Sequence, residues 1–171
     1  MLKRFLCNVL LLIWLLPLIA CSNQDNIHVP VKYYYLRNEV LFNTQDGVIC
    51  HEVRESKENE SNFPQLLRDY LTGPLTNECR SPFPKDIALV SLRTDESMLI
   101  ITLSDNFADL TGLDLTLACV CLAMTAIEIT DAQSVSIQTE NVPLDGKMSI
   151  MIDNSSVYFS DNHEQYLENK A

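Results

Sequence analysis

The sequence predicts an α+β domain: a small sheet with two helices packed on one face, in a helix-strand-strand-helix-strand core preceded by an N-terminal hairpin. Three observations predict it. Apolar residues recur at helical spacing from Phe63 to Leu71. Two apolar, β-branched runs, Ile87 to Arg93 and Met98 to Leu103, flank a short polar turn. An almost unbroken apolar run from Asp114 to Thr130, too long for a strand, is followed at once by the alternating Ser134 to Thr139. The 171 residues suffice for one domain with a real core. At 47% hydrophobic and 20% charged, the chain is no disordered acidic tail.

Composition also excludes functions. The four glycines never fall in a G-x-G spacing, so neither a dinucleotide fingerprint nor a phosphate-cradling loop can be built. A formal net charge of -11 and a pI near 4.5, without a basic stripe, argue against nucleic acid, whose phosphates demand cations. No cofactor is expected.

The first twenty residues read as an address. Lys3 and Arg4 precede the apolar run Val9 to Ala20. As a helix that run reaches only about 18 Å, short of a bilayer core of about 30 Å, which fits a signal peptide better than a permanent span. It ends in Leu18-Ile19-Ala20-Cys21, which resembles a bacterial lipobox, with Ala20 as the small residue before cleavage and Cys21 as the lipidated N-terminus. The expected organisation is therefore a lipoprotein signal peptide over 1–20, the lipidated Cys21 and a polar tether over 21–30, one domain over 31–152, and an acidic tail over 153–171 with at most an edge strand. Losing Lys3 and Arg4 takes the net charge from -11 to -13, so acyl chains and not charge would hold the protein to anionic lipid.

Within the domain, Val31 to Leu36 is rich in tyrosine and valine and reads as a strand, with Glu39 to Asn43 as its continuation. Asp46-Gly47 signals a turn, and Val48 to Arg54 forms the returning arm, with Val48, Cys50 and Glu52 on one face and Ile49, His51 and Val53 on the other. Glu55 to Glu60 reads as a charged loop. Phe63, Leu66, Leu67, Tyr70 and Leu71 make one helical stripe, capped by Ser61 or Asn62, tolerant of Pro64 in its first turn and stopped by Gly73-Pro74. Met98 to Leu103 is apolar on both faces, which places it centrally in the sheet with cover on each side, or at a tightly packed interface. Ser104-Asp105-Asn106 breaks that strand. Asp114 suits the positive end of the long helix. Ser134 to Thr139 is the last core strand, and Met148 to Ile152 one further short strand after the Asp145-Gly146 turn. Alternation in Tyr33, Tyr34 and Tyr35 leaves Tyr34 outside the core.

Apart from Cys7 in the leader and the lipidated Cys21, the chain keeps Cys50, Cys79, Cys119 and Cys121, an even number that permits disulfides in three pairings. Cys119 and Cys121 lie two residues apart on a helix, about 200° around it, so they do not pair with each other and read as buried thiols. Cys50 and Cys79 are a candidate bridge. No C-x-x-C occurs, and His28, His51 and His163 are widely spaced, so no metal site is expected. Cys50-His51 is the sharpest catalytic pattern, a nucleophile beside a base, but neighbours on a strand point to opposite faces. Asp153, Asp161, His163 and Glu164 form an acidic tail cluster that matches no cation loop and reads as solvated charge. Ser104, Phe107, Leu110 and Gly112 read as folding residues: a capped turn, two core plugs and a backbone bend.

Several phrases, taken in order, resemble the GerMN domain of spore germination proteins. They are Leu66-Leu67, Tyr70-Leu71-x-Gly73-Pro74, Ser81-Pro82-Phe83-Pro84, Leu103-Ser104-x-x-Phe107-Ala108-x-Leu110-x-Gly112, Leu117-Ala118, Thr125-x-x-Glu128-Ile129 and Ser134-Val135-x-Ile137. The resemblance spans roughly Val31 to Lys147. Where its pattern has a glycine-containing link before the first core strand, this chain has Lys85-Asp86. Val157 to Asn162 faintly echoes Tyr33 to Asn38 and reads as an edge strand, the alternative being a cut-down second repeat. The resemblance implies a fold similar to the ring-building motif of sporulation channel proteins. It also implies a non-enzymatic scaffold or binding role in sporulation, germination or cell-envelope assembly, on the extracytoplasmic side of the cell membrane. The partners so implied are the membrane through the lipid anchor, and envelope proteins, further copies of the chain or cell-wall glycan. The alternative reading is a small exported thiol enzyme or hydrolase using Cys50 and His51.

Overall fold

The computed structural model describes residues 28–39, 47–57 and 62–156. Strands β1 (His28–Arg37) and β2 (Ile49–Lys57) pair antiparallel, Tyr34 opposite His51 and Tyr35 opposite Cys50. Helix α1 (Phe63–Leu71) follows, then the two-residue strand β3 (Cys79–Arg80), which pairs with Leu36 and Arg37 on the far side of β1. Strands β4 (Leu89–Asp95) and β5 (Met98–Leu103) form a second hairpin; helix α2 (Gly112–Thr130) crosses over to β6 (Ser134–Thr139), parallel to β5, and β7 (Ile150–Asp153) closes the edge. The result is α+β: two helices and two small sheets, ordered β2-β1-β3 and β4-β5-β6-β7. The parallel β5–β6 pair requires a crossover, and α2 supplies it.

Local chemistry explains the elements. Asn62 caps α1, its side chain accepting from the Gln65 N–H, Pro64 sits in the first turn, and Gly73 leaves the helix at φ 101°, where a side chain would be strained. Leu66, Leu67, Tyr70 and Leu71 bury the predicted stripe except for Phe63, which at the first turn is exposed. Central strand β5 turns Leu99, Ile101 and Leu103 into the core with Val135 and Ile137 of β6 beside them. Among the described residues both helices lie on that one face; on the other, Gln138 Nε2 donates to Thr102 Oγ1 at 3.1 Å, so the cover expected on each side of Met98–Leu103 is present on one. Ser104 Oγ accepts from the Ala88 N–H and donates to Asn106, while Phe107 is wholly buried.

Several boundaries shift. β1 ends at Arg37 with a bend at Asn38 and Glu39, and the rest of the proposed continuation lies outside the described residues. β2 runs on through Glu55, Ser56 and Lys57, because β1 offers partners as far back as His28. The strand expected from Ile87 begins at Leu89, and that expected from Met148 begins at Ile150.

The hairpin β1–β2 does not extend the sheet of β4 to β7. It forms its own sheet over the helices, so α2 is covered from two sides, which is why its apolar residues encircle it and why Cys119 and Cys121, on different faces, are both buried free thiols. The same arrangement corrects the placing of Tyr34 outside the core. Tyr34 is only 6% exposed, packed on Met124 of α2, while Tyr33 and Tyr35 pack the other face of β1 against Tyr70.

One polar junction locks this assembly. At Tyr34 the edge of β1 away from β2 has no strand partner, since β3 reaches only Leu36 and Arg37. Instead the Tyr34 N–H donates to Thr125 Oγ1 of α2 at 2.9 Å, and the Tyr70 hydroxyl of α1 donates to the Tyr34 carbonyl at 2.6 Å. Thr125 and Tyr70 are both fully buried. Thr125→Val keeps the shape but strands a buried N–H, and is expected to lower the unfolding free energy by about 1–3 kcal/mol in urea titrations, against well under 1 kcal/mol for an exposed control such as Thr116→Val.

Candidate functional site

The densest polar constellation among the described residues lies where β2 meets the end of α1. Glu52 and Arg54 sit two apart on β2 and therefore share a face, the one that also carries Cys50. Arg54 Nε donates to Glu52 Oε1 at 2.5 Å. Its Nη2 donates to the Gly73 carbonyl at 2.7 Å and to the Tyr35 hydroxyl at 3.0 Å, and Nη1 reaches the Asp69 carbonyl at 3.3 Å. The guanidinium lies 4.8 Å from the centre of the Tyr33 ring, within range of a cation–π attraction. Glu52 Oε2 accepts the Leu75 and Thr76 N–H groups at 2.8 and 3.1 Å. The pair thus holds the carbonyls that end α1 and the loop that leaves it.

The electrostatics follow from these contacts. Burial works to raise the Glu52 carboxyl, but the hydrogen bonds from Arg54, Leu75 and Thr76 outweigh it, so the group lies below its ordinary 4.5. Burial raises the Tyr35 phenol despite the opposing charge of Arg54, and raises the enclosed Tyr70 phenol well above its usual range. The Cys119 and Cys121 thiols are pushed up to about 12 by burial, so neither is a thiolate at neutral pH.

An aromatic column continues inward. Tyr33 stacks on Tyr70 with centroids 5.7 Å apart, Tyr35 lies 4.9 Å from Tyr70, Tyr70 meets Phe83 edge-on at 5.2 Å, and Phe83 lies 6.4 Å from Phe107. It connects the first sheet through α1 to the segment that follows β5. Such pairs contribute roughly 0.5–1.5 kcal/mol each beyond burial.

The residues singled out in the sequence fall as follows. Cys50 and Cys79, on the strands that flank β1, are joined by a disulfide with Cα atoms 6.3 Å apart, inside the range for bridging. Cys50 faces the core and His51 faces solvent on the other side of β2, its ring 5.9 Å from Tyr34. The structure therefore overturns the thiol-enzyme reading: the Cys50 sulfur is already bonded, and the imidazole lies on the opposite face. Asp153 ends β7, while Asp161, His163 and Glu164 lie outside the described residues, as do Cys21 and Val157 to Asn162. Among the described residues no group of three His, Cys, Asp or Glu side chains is placed to hold a metal.

A family model described as Germane, sporulation and spore germination, matches residues 32–145, well over half of the chain. The chain belongs to the Germane family. Two solved structures are similar to it, both of the sporulation protein GerM from Bacillus subtilis. The tandem GerMN domains match with a TM-score of 0.55 at 17% identity, covering 77% of this chain and 47% of that one. The first GerMN domain alone matches with the same TM-score and identity, covering 73% of this chain and 95% of that one. No curated protein matches in sequence. The Germane chain thus corresponds to about half the length of the tandem GerM chain, and its two helices and two sheets reproduce the GerMN architecture.

Glu52 and Arg54 escaped the sequence reading. The signal was there: alternation put Glu52 on the face of Cys50, where an apolar residue belongs, and a carboxylate at such a position calls for a cation or hydrogen-bond donors.

Two outcomes are expected for this Germane domain. A carboxyl held below its unfolded value adds stability that is complete above pH 4.5 and is lost as pH falls through the folded value. Replacing Glu52 by Gln should cost about 1–3 kcal/mol in urea unfolding at pH 7, and the gap from the native chain should narrow as pH drops below 4.5. In alkylation followed by peptide mapping without reductant, the folded protein should protect Cys119 and Cys121, denaturation should expose both, and Cys50 and Cys79 should react only after reduction.

Proposed function

We propose that this chain is a lipid-anchored, extracytoplasmic lipoprotein whose single GerM-like domain is a non-catalytic scaffold or binding module in sporulation, spore germination or envelope assembly. Family membership supports the cellular context. One structural observation supports the non-catalytic role: the ionisable pair Glu52–Arg54 directs its hydrogen bonds to the chain's own backbone and to Tyr35, the pattern of a structural clamp. The lipobox-like Leu18-Ile19-Ala20-Cys21 supports the anchor, with Cys21 as the acylated residue. β1 starts at His28, three residues before the expected domain boundary, so the tether left from Cys21 to Ile27 spans at most about 25 Å, which keeps the domain close to the membrane. Its partners are then other envelope proteins, further copies of the chain or wall glycan.

Fractionation tests the anchor. The native protein is expected with the membranes and Cys21→Ser in the soluble fraction; a Cys21→Ser protein that stays with the membranes overturns the lipoprotein reading.

A further inference from the structure

Among the described residues β2, β3, β4 and β7 stand at sheet edges. An open edge presents a row of N–H and C=O groups that a further strand can join. Three of these edges are poor templates. β3 has two residues and β7 four, and the register of β4 shifts between Leu89 and Ser91. β2 differs: it is nine residues long and pairs with β1 without a shift from Ile49 to Lys57.

The pairing with β1 decides which groups β2 turns outward. Tyr34 directs its N–H and C=O away from β2, to Thr125 and Tyr70, so His51 opposite it directs its own away from β1. Alternation gives Val53 and Glu55 the same outward direction. The Arg37 N–H, donating to the Val48 carbonyl at 2.7 Å, fixes the same phase from the other end of the pair. Val53 is also a large apolar side chain left 54% exposed, between the exposed His51 and Glu55.

The residues along this edge are their own complement. In a two-fold antiparallel pair the residue on the axis faces its own copy, and the residues on either side meet in reverse order. Val53 is the midpoint of Ile49–Lys57, so an axis there gives every residue of β2 a partner. Val53 then faces Val53 of the partner subunit in a doubly hydrogen-bonded pair, Glu52 faces Arg54 of the partner subunit, and His51 faces Glu55 of the partner subunit. An axis at Glu52, Arg54 or Glu55 sets two like charges face to face, which destabilises a strand pair. An axis at His51 sets Glu52 against Cys50 of the partner subunit, with no opposite charge. Of the five central positions only Val53 puts each carboxylate opposite a cation or an imidazole.

We propose that two copies of this chain associate through β2, edge to edge and antiparallel about Val53. The two three-stranded sheets become one of six strands, ordered β3-β1-β2-β2-β1-β3. Because the contact is between identical patches, it closes at two copies and does not propagate. The proposal rests on the binding-module reading and names its partner, a second copy of the chain.

Cysteine cross-linking of the full-length protein in detergent tests it. A contact along one strand edge falls below the standard interface size, so the pair is expected in the micromolar range and is read at about 100 µM protein. Cα atoms of a doubly bonded pair lie about 5.5 Å apart, within reach of a disulfide, so Val53→Cys should give a covalent dimer under mild oxidation, above the background set by the native chain. His51→Cys and Glu55→Cys singly should not, since each would lie about 14 Å from its own copy, whereas the two together should. Adding Glu55→Lys to Val53→Cys sets a lysine against His51 of the partner subunit and should cut the yield at least about threefold; adding His51→Glu as well should restore it. No dimer from Val53→Cys above background, equal yields from His51→Cys or Glu55→Cys alone, or a yield indifferent to the charge reversal overturns the proposal. None of those failures alters where Cys21→Ser fractionates, so the dimer and the anchored module fail separately.

Discussion

The peptide group of Tyr34 is the point on which this fold turns. A strand with one paired edge normally leaves its other edge open to water or to another chain. Here β1 is enclosed, so that edge must find partners inside the protein, and an unpaired amide there would be expensive. The two partners are side-chain hydroxyls from different helices, Thr125 and Tyr70. One backbone position thereby fixes the first sheet against α1 and α2 together. Ladder bonds to a longer β3 would have satisfied the edge equally well but would not have placed either helix.

Three further constraints hold the same sheet, each through different physics. Arg54 and Glu52 bind the end of α1 and the Leu75-Thr76 backbone by charge-assisted hydrogen bonds. The ring column from Tyr33 to Phe107 works by contact and quadrupole. The Cys50–Cys79 bond closes β2 onto β3 covalently, over a sequence separation of 29. Because all three act on β1, β2 and β3, that small sheet behaves as a strap across the helices. It covers the side of α2 that the sheet of β4 to β7 leaves open.

What the sequence revealed tracks how each element is satisfied. Helix α1 buries one stripe against one neighbour, so its periodicity showed it, and the order of the core elements followed from such signals. Helix α2 is buried from two sides, so its sequence announces burial but not direction, and the second sheet over it went unseen. Tyr34 was misplaced for the same reason: alternation distinguishes two faces of a strand but is silent when both are covered. Strand β3 has two residues and no pattern to read. The Arg54 contacts end mostly on backbone carbonyls, which every residue possesses, so no partner residue in the sequence could betray them. Glu52 was the exception, legible as a charge on a buried face.

Charge scale decides how an acidic chain can still attract an anion. With 23 acidic and 12 basic side chains, the far field repels a carboxylate. At physiological ionic strength that field decays over about 8 Å, so beyond a few contact distances salt removes most of it. In the cleft between α1 and the segment before β4 the local potential is set by what lines it, Arg68, Lys85 and Asp86, whatever the net charge of the chain. The net acidity and the cationic rim are therefore compatible features of one surface, because the first acts as a screened far field and the second only at contact.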